Sequence, residues 1–122
     1  MTDSDQETKA ALMLAALGSE TRLRTFRTLV RAGPGGLGVG AIQARLAIPA
    51  STLQHHLGAL VHAGLVVQQR HGRAVLSAVD YDAISGLVDY LTHECCADQA
   101  DTHQTRPPRA CNDQAARRGE RS

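Results

Sequence analysis

Aromatic side chains are nearly absent from this chain: Phe26, Tyr81 and Tyr90 are the only three, and there is no tryptophan. Any core must therefore be aliphatic. Long apolar runs are missing too. Nothing approaches the roughly 18 consecutive apolar residues of a membrane span, so no membrane partner is expected. The opening "MTDSDQETK" is acidic and lacks the basic and apolar regions of a signal peptide, so the expected location is cytoplasmic. Cytosolic thiols are normally kept reduced. Cysteine is scarce and odd in number, with Cys95, Cys96 and Cys111 the only three, which fits poorly with a closed disulfide framework. At 122 residues the chain is of the size of one domain with a modest core.

Acidic residues are missing from the middle of the chain. Residues 20–79 hold one acid, Glu20, against seven arginines, a net charge of +6. Residues 1–19 carry −2 and residues 80–122 carry −3, so the overall charge of +1 hides a basic centre between acidic ends. Such asymmetry fits a polyanion partner, or a solvated basic face.

What is present is helical periodicity, then a hairpin, then helix again. Ala10, Met13, Leu14 and Leu17 recur as one helix face. Gly18 ends that helix and Ser19 caps a second, which is expected to bury Leu23, Phe26, Leu29 and Val30 before "GPGGLG" stops it. A short third helix carries Val39, Ile42 and Leu46. A fourth opens after "AIPAS" with Leu53, Leu57, Leu60 and Val61 on its apolar face, and Gly64 stands at its left-handed end. "LVVQQR" and "AVLSAV" read as strands joined through "HGR", with Gly72 at the tight position. "DYDAISGLVDYLTHE" returns to helix, with Ile84, Leu87, Val88 and Leu91 on one face. From Ala97 onward the composition predicts a polar tail without stable structure unless something ties it down. The expected organisation is a domain over residues 1–96 and a flexible tail over residues 97–122 that carries Cys111.

"GPGGLG" matches the pattern G-x-G-x-x-G, but a dinucleotide site needs a strand before the glycines, and a helix precedes them here. It is expected to be a flexible interhelical loop, and no organic cofactor is expected. The third and fourth helices with their tight turn form a helix-turn-helix, whose second helix can enter the major groove. The apolar spacing leaves Ser51, Thr52, Gln54, His55 and Gly58 on its opposite face. Serine and threonine contact phosphates or bases, and glutamine pairs bidentately with adenine. Arg70 and Arg73 flank the hairpin tip, where they can reach phosphates or a narrow minor groove. No Ser-His-Asp, paired-carboxylate or phosphate-loop arrangement is identifiable. A thiol enzyme would hold its cysteine in an anion-binding loop, whereas Cys95 and Cys96 follow a helix C-terminus, whose dipole raises a thiol pKa. The chain is not expected to be an enzyme.

With "LGSETRLRTFRTLV", "STLQHHLGALVHAGLV" and "RHGRAVLSAVDY" in succession, residues 8–96 resemble the ArsR/SmtB family of small winged-helix repressors. His56 and Leu57 match that family's common His-Leu pair, which adds His56 to the expected DNA-contact set. The resemblance implies a mainly α fold with a β-hairpin wing. It further implies a homodimer through the first and last helices, and a repressor that leaves double-stranded operator DNA when its inducer binds.

The inducer must be sought on this chain. The third helix, "VGAIQARL", lacks the cysteines of many arsenic sensors of the family. Asp89 and His93 share a face, but the second Asp-His pair of the zinc sensors is not evident. "YLTHECC" resembles a smaller group of arsenic-responsive repressors with vicinal cysteines after the last helix and a third cysteine beyond. That resemblance implies As(III) or Sb(III) held by Cys95, Cys96 and Cys111. Soft thiolates suit such ions, and Arg106 and Arg109 favour the thiolate of Cys111. Adjacent helical residues point about 100° apart, so the pair can share an ion only where the helix end unwinds. Three alternatives stand beside this reading: incidental surface thiols, a redox switch joining Cys111 to Cys95 or Cys96, and a harder ion such as zinc recruiting His93 or His103.

Overall fold

The computed structural model describes residues 3–102. The chain divides into two units, Met1–Tyr90 and Leu91–Ser122.

In the first unit, helix α1 (Asp3–Leu17) is followed by α2 (Glu20–Ala32). Ser19 is the N-cap of α2, its hydroxyl accepting from the Arg22 backbone N–H at 3.3 Å, and Glu20 lies in the first turn, where negative charge suits the helix's positive end. The polypeptide leaves α2 at Gly33 with φ 89. Strand β1 (Leu37–Gly38), α3 (Val39–Leu46), α4 (Ala50–His62), β2 (Val66–His71), β3 (Ala74–Val79) and α5 (Tyr81–Thr92) follow in order. Helix α5 runs on two residues past the end of the first unit.

The sheet is antiparallel with strand order β1-β3-β2. β2 and β3 form the hairpin, from Val66 opposite Val79 to His71 opposite Ala74, and Gly72 turns its tip at φ 64. β1 corrects the expectation of a flexible loop at "GPGGLG". Leu37 pairs with Ser77 and Gly38 with Leu76, so the end of that segment is tied to the far side of β3. Gly36 makes this approach possible. It has φ +76, and a Cβ there would stand 2.6 Å from the Ser77 carbonyl oxygen.

The core is aliphatic apart from Phe26. Leu29, Ile42, Leu53, Leu57, Leu60 and Leu65 are fully buried where α2 packs against α3, α4 and β3. Several residues expected inside are instead on the surface. Leu14, Leu23, Val30 and Val61 are 37–44% exposed, and Val88 and Leu91 are each 53% exposed. An apolar stripe is wider than the seam one neighbouring element covers, so residues at its margin stay open to solvent. On α1 the covered seam is Ala10, Met13 and Ala16, and Leu14 lies beside it.

In the second unit, α5 ends at Thr92, a run of turns spans residues 93–96, and a short 3-10 helix covers Ala97–Thr102. This short helix stands at the start of the segment expected to form the polar tail. Backbone bonds from Ala97 to Glu94 and from Gln99 to Cys96 carry the turns forward into the 3-10 helix. Among the described residues no helix is long and apolar enough to cross a membrane.

Candidate nucleic-acid interface and thiol pair

The turn between α3 and α4 is fixed by three local devices. Ala47 takes the left-handed conformation at φ 57, its N–H donating to the Gln43 carbonyl at 2.7 Å. The Gln43 side-chain amide then donates to the Ile48 carbonyl at 3.2 Å. Pro49 is the N-cap of α4, and Leu53 N–H donates to its carbonyl at 3.0 Å. With Leu53, Leu57 and Leu60 buried, the opposite face of α4 is settled: Ser51, Gln54, His55 and Gly58 are exposed, and Thr52 and His56 are half-buried on its flanks. Among the described residues no side chain caps the N-terminus of α4. Its first-turn N–H groups are thus open to an oxygen of another molecule.

The hairpin projects a second basic element. Past Val66 every residue of β2 is exposed, and Arg70 and Arg73 stand exposed on either side of Gly72. Among the described residues no carboxylate pairs with either guanidinium. Midway along the hairpin, Gln68 Nε2 donates to the buried Ser77 hydroxyl at 3.1 Å, which steadies the ribbon.

His56 differs from the other expected contact residues. Its Nδ1 accepts a hydrogen bond from Arg22 Nε on α2 at 3.4 Å, and its ring meets His55 edge-on with centroids 5.6 Å apart. Burial, then the positive charge of Arg22 and of His55, hold its pKa below the ordinary 6.5. Arg22 and Gln43 are the residues that sequence reasoning missed. Gln43 lies one residue past Ile42 with no pattern to single it out, and Arg22 meets a residue 34 positions away.

In the second unit the polypeptide is bent hard after α5. Glu94 and Cys96 both adopt φ 64, a left-handed conformation that costs non-glycine residues about 1 kcal/mol or more. These turns bring the sulfurs of Cys95 and Cys96 to 3.4 Å. That is well beyond the roughly 2.05 Å of a disulfide, so the two are not bonded to each other. Cys95 is in the disulfide state, and the Cys96 thiol is the donor of the contact. Cys95 is exposed and Cys96 half-buried. The expected third ligand, Cys111, lies outside the described residues, as do His103, Arg106 and Arg109. Among the described residues no group of three His, Cys, Asp or Glu side chains is placed to hold a metal ion. His93, an alternative ligand, faces the Glu94 carboxylate at 3.5 Å.

Comparison with known proteins matches residues 17–69 to a helix-turn-helix domain family. The chain is 31% identical over 90 residues to the biofilm growth-associated repressor of Agrobacterium fabrum, an overlap covering 74% of each protein. Among solved structures it is similar to an ArsR-like transcriptional regulator from Rhodococcus sp. RHA1, with TM-score 0.68 and 20% identity over 84% of this chain and 99% of that one. It is also similar to the homodimeric winged helix-turn-helix DNA-binding domain of a possible ArsR-family regulator from Mycobacterium bovis. There the TM-score is 0.61 and the identity 21%, over 88% of this chain and 97% of that one.

Proposed function

The chain belongs to the ArsR family of winged-helix transcriptional regulators, and from that membership we propose a homodimeric repressor that As(III) or Sb(III) releases from its operator. The operator face is α4 with the wing. Ser51, Thr52, Gln54 and His55 meet base edges and phosphates in the major groove, with His56 at the flank, while Arg70 and Arg73 hold the backbone alongside. The absence of acids from residues 21–79 favours this face for a polyanion. Two copies are favoured by the apolar residues that one chain leaves open on the first and last helices, Leu12 and Leu14 on α1 and Val88 and Leu91 on α5. The related Mycobacterium bovis domain is described as homodimeric.

The observation that carries the inducer is the 3.4 Å separation of the Cys95 and Cys96 sulfurs. With soft metal–thiolate bonds of about 2.3 Å at near-right angles, two sulfurs on one centre lie about 3.3 Å apart. That spacing supports the pair as two ligands of a pyramidal ion. Cys111 supplies the third. Arsenite, As(OH)3, condenses with three thiols to form three As–S bonds and releases three waters. Cys95 takes part only as a thiol, so a cellular dithiol must first reduce its disulfide. Ion binding then lowers operator affinity by its differential affinity for the DNA-free form.

The disulfide state of Cys95 favours a second reading, in which oxidation itself is the signal. A gel mobility-shift assay separates the two, using a duplex selected by the protein from a random pool. Release by sodium arsenite in the thiol-free reductant tris(2-carboxyethyl)phosphine, with no release by peroxide alone, supports the metalloid reading. Release by peroxide, reversed by dithiothreitol and untouched by arsenite, replaces it with the redox reading.

A further inference from the structure

Arg22 sits where three helices meet. It is half-buried in α2, its Nη1 donates to the Ala16 carbonyl in the last turn of α1 at 3.2 Å, and its Nε donates to His56 Nδ1 on α4 at 3.4 Å. A guanidinium is planar and directs its N–H groups along fixed lines, so two bonds made by one head fix the relative placement of their acceptors. Here the acceptors belong to α1 and to the helix that carries the expected DNA-contact residues.

The bond to His56 also has a chemical condition. An imidazole that accepts at Nδ1 must carry its one proton on Nε2, and the imidazolium form cannot accept at all. The charged or titratable side chains acting on His56 are Arg22 on α2 and His55 on α4, both adding positive charge. Among the described residues no charged side chain of α1, α3 or β2, and no carboxylate, joins them. Protonation thus loses an acceptor and gains a repulsion against Arg22 at the same contact.

We propose that Arg22 is a positioning residue for operator binding: through neutral His56 it sets the placement of α4 against α1, without itself touching DNA. This rests on the DNA-binding reading given above. Because the same guanidinium holds both helices, a displacement of α1 reaches α4 directly through two hydrogen bonds.

The test is fluorescence anisotropy of the full chain on a labelled duplex selected by the wild type from random DNA, across salt and pH. Arg22→Lys keeps the charge and loses the fork. It is expected to weaken binding at least tenfold while leaving the slope of log affinity against log salt unchanged. Loss of a phosphate contact would instead make that slope shallower by about 0.9. Wild-type affinity is expected to fall as pH drops through the folded pKa of His56, which lies below the ordinary 6.5. His56→Asn presents an amide oxygen close to the place of Nδ1 but takes no proton, so it is expected to remove that pH dependence. Should Arg22→Lys fail to fold, the His56→Asn pH profile still decides. Wild-type affinity in Arg22→Lys, a shallower salt slope, or an unchanged pH profile in His56→Asn overturns the proposal. A wild type that selects no duplex overturns it together with the DNA-binding reading, which separates the two failures.

Discussion

The side-chain amide of Gln43, in the third helix, donates to the carbonyl of Ile48 across the helix-turn-helix bend at 3.2 Å. This bond joins the last turn of α3 to the residue before Pro49, and so fixes where α4 begins. Gln43→Ala is expected to lower unfolding stability by about 1 kcal/mol, the usual cost of one such bond with a part-buried acceptor. Urea denaturation reads that change. A variant as stable as the wild type would show that the turn is held by Ala47 and Pro49 alone.

Two glycines should respond in opposite senses to the same substitution. Gly36 has φ +76 with the Ser77 carbonyl oxygen 2.6 Å from any added Cβ, so Gly36→Ala should cost roughly 2 kcal/mol or more and loosen β1 from β3. Gly58 lies within α4 with nothing within 4 Å of an added Cβ, so Gly58→Ala should stabilise the fold by roughly 0.5–1 kcal/mol. If α4 lies close in the groove, the same Gly58→Ala weakens operator binding. Paired thermal melts and binding isotherms check both.

Much of this fold was legible because its local signals agree. Ser19 with Glu20, Gly64 at φ 84 and Gly72 at φ 64 all stand where capping and turn chemistry place them. The helix-turn-helix could be read from Leu53, Leu57 and Leu60 alone, since burial of one side of α4 exposes the other. Contacts distant in sequence were not legible. β1 depends on a partner strand about forty residues away, and two residues leave no periodicity to detect. Leu14, Val88 and Leu91 carry the right period for a core, but no sequence pattern says whether a helix stripe is covered by its own chain. At the thiol pair the residues were evident and the geometry was not. The approach of the sulfurs depends on φ 64 at Glu94 and Cys96, and neither residue type favours that conformation.

Stability should depend on pH through His56. The folded state holds this histidine neutral, with its pKa below the ordinary 6.5. The unfolded chain therefore binds the proton first as pH falls. The contribution is fully present above 6.5 and is lost as pH drops from 6.5 toward the lower folded value. Urea midpoints across that range are expected to fall more for the wild type than for His56→Asn. Equal falls would assign the pH dependence to other groups.

Arg70 and Arg73 should act as phosphate contacts. Each change to alanine is expected to weaken binding of all duplexes alike and to reduce the salt slope by about 0.9. Thermal stability should be little altered, because both side chains are exposed and neither pairs with a carboxylate among the described residues. A change in sequence preference with an unaltered slope would assign them to base contacts instead.

Cys95 and Cys96 are the trigger in this reading, and an arsenite titration of the operator complex, followed by anisotropy in the thiol-free reductant tris(2-carboxyethyl)phosphine, tests it most directly. The wild type should release DNA as arsenite rises. Cys95→Ser and Cys96→Ser should bind the duplex as tightly as the wild type and stay bound at arsenite concentrations that release it. Release of both variants at the wild-type concentration would contradict the assignment.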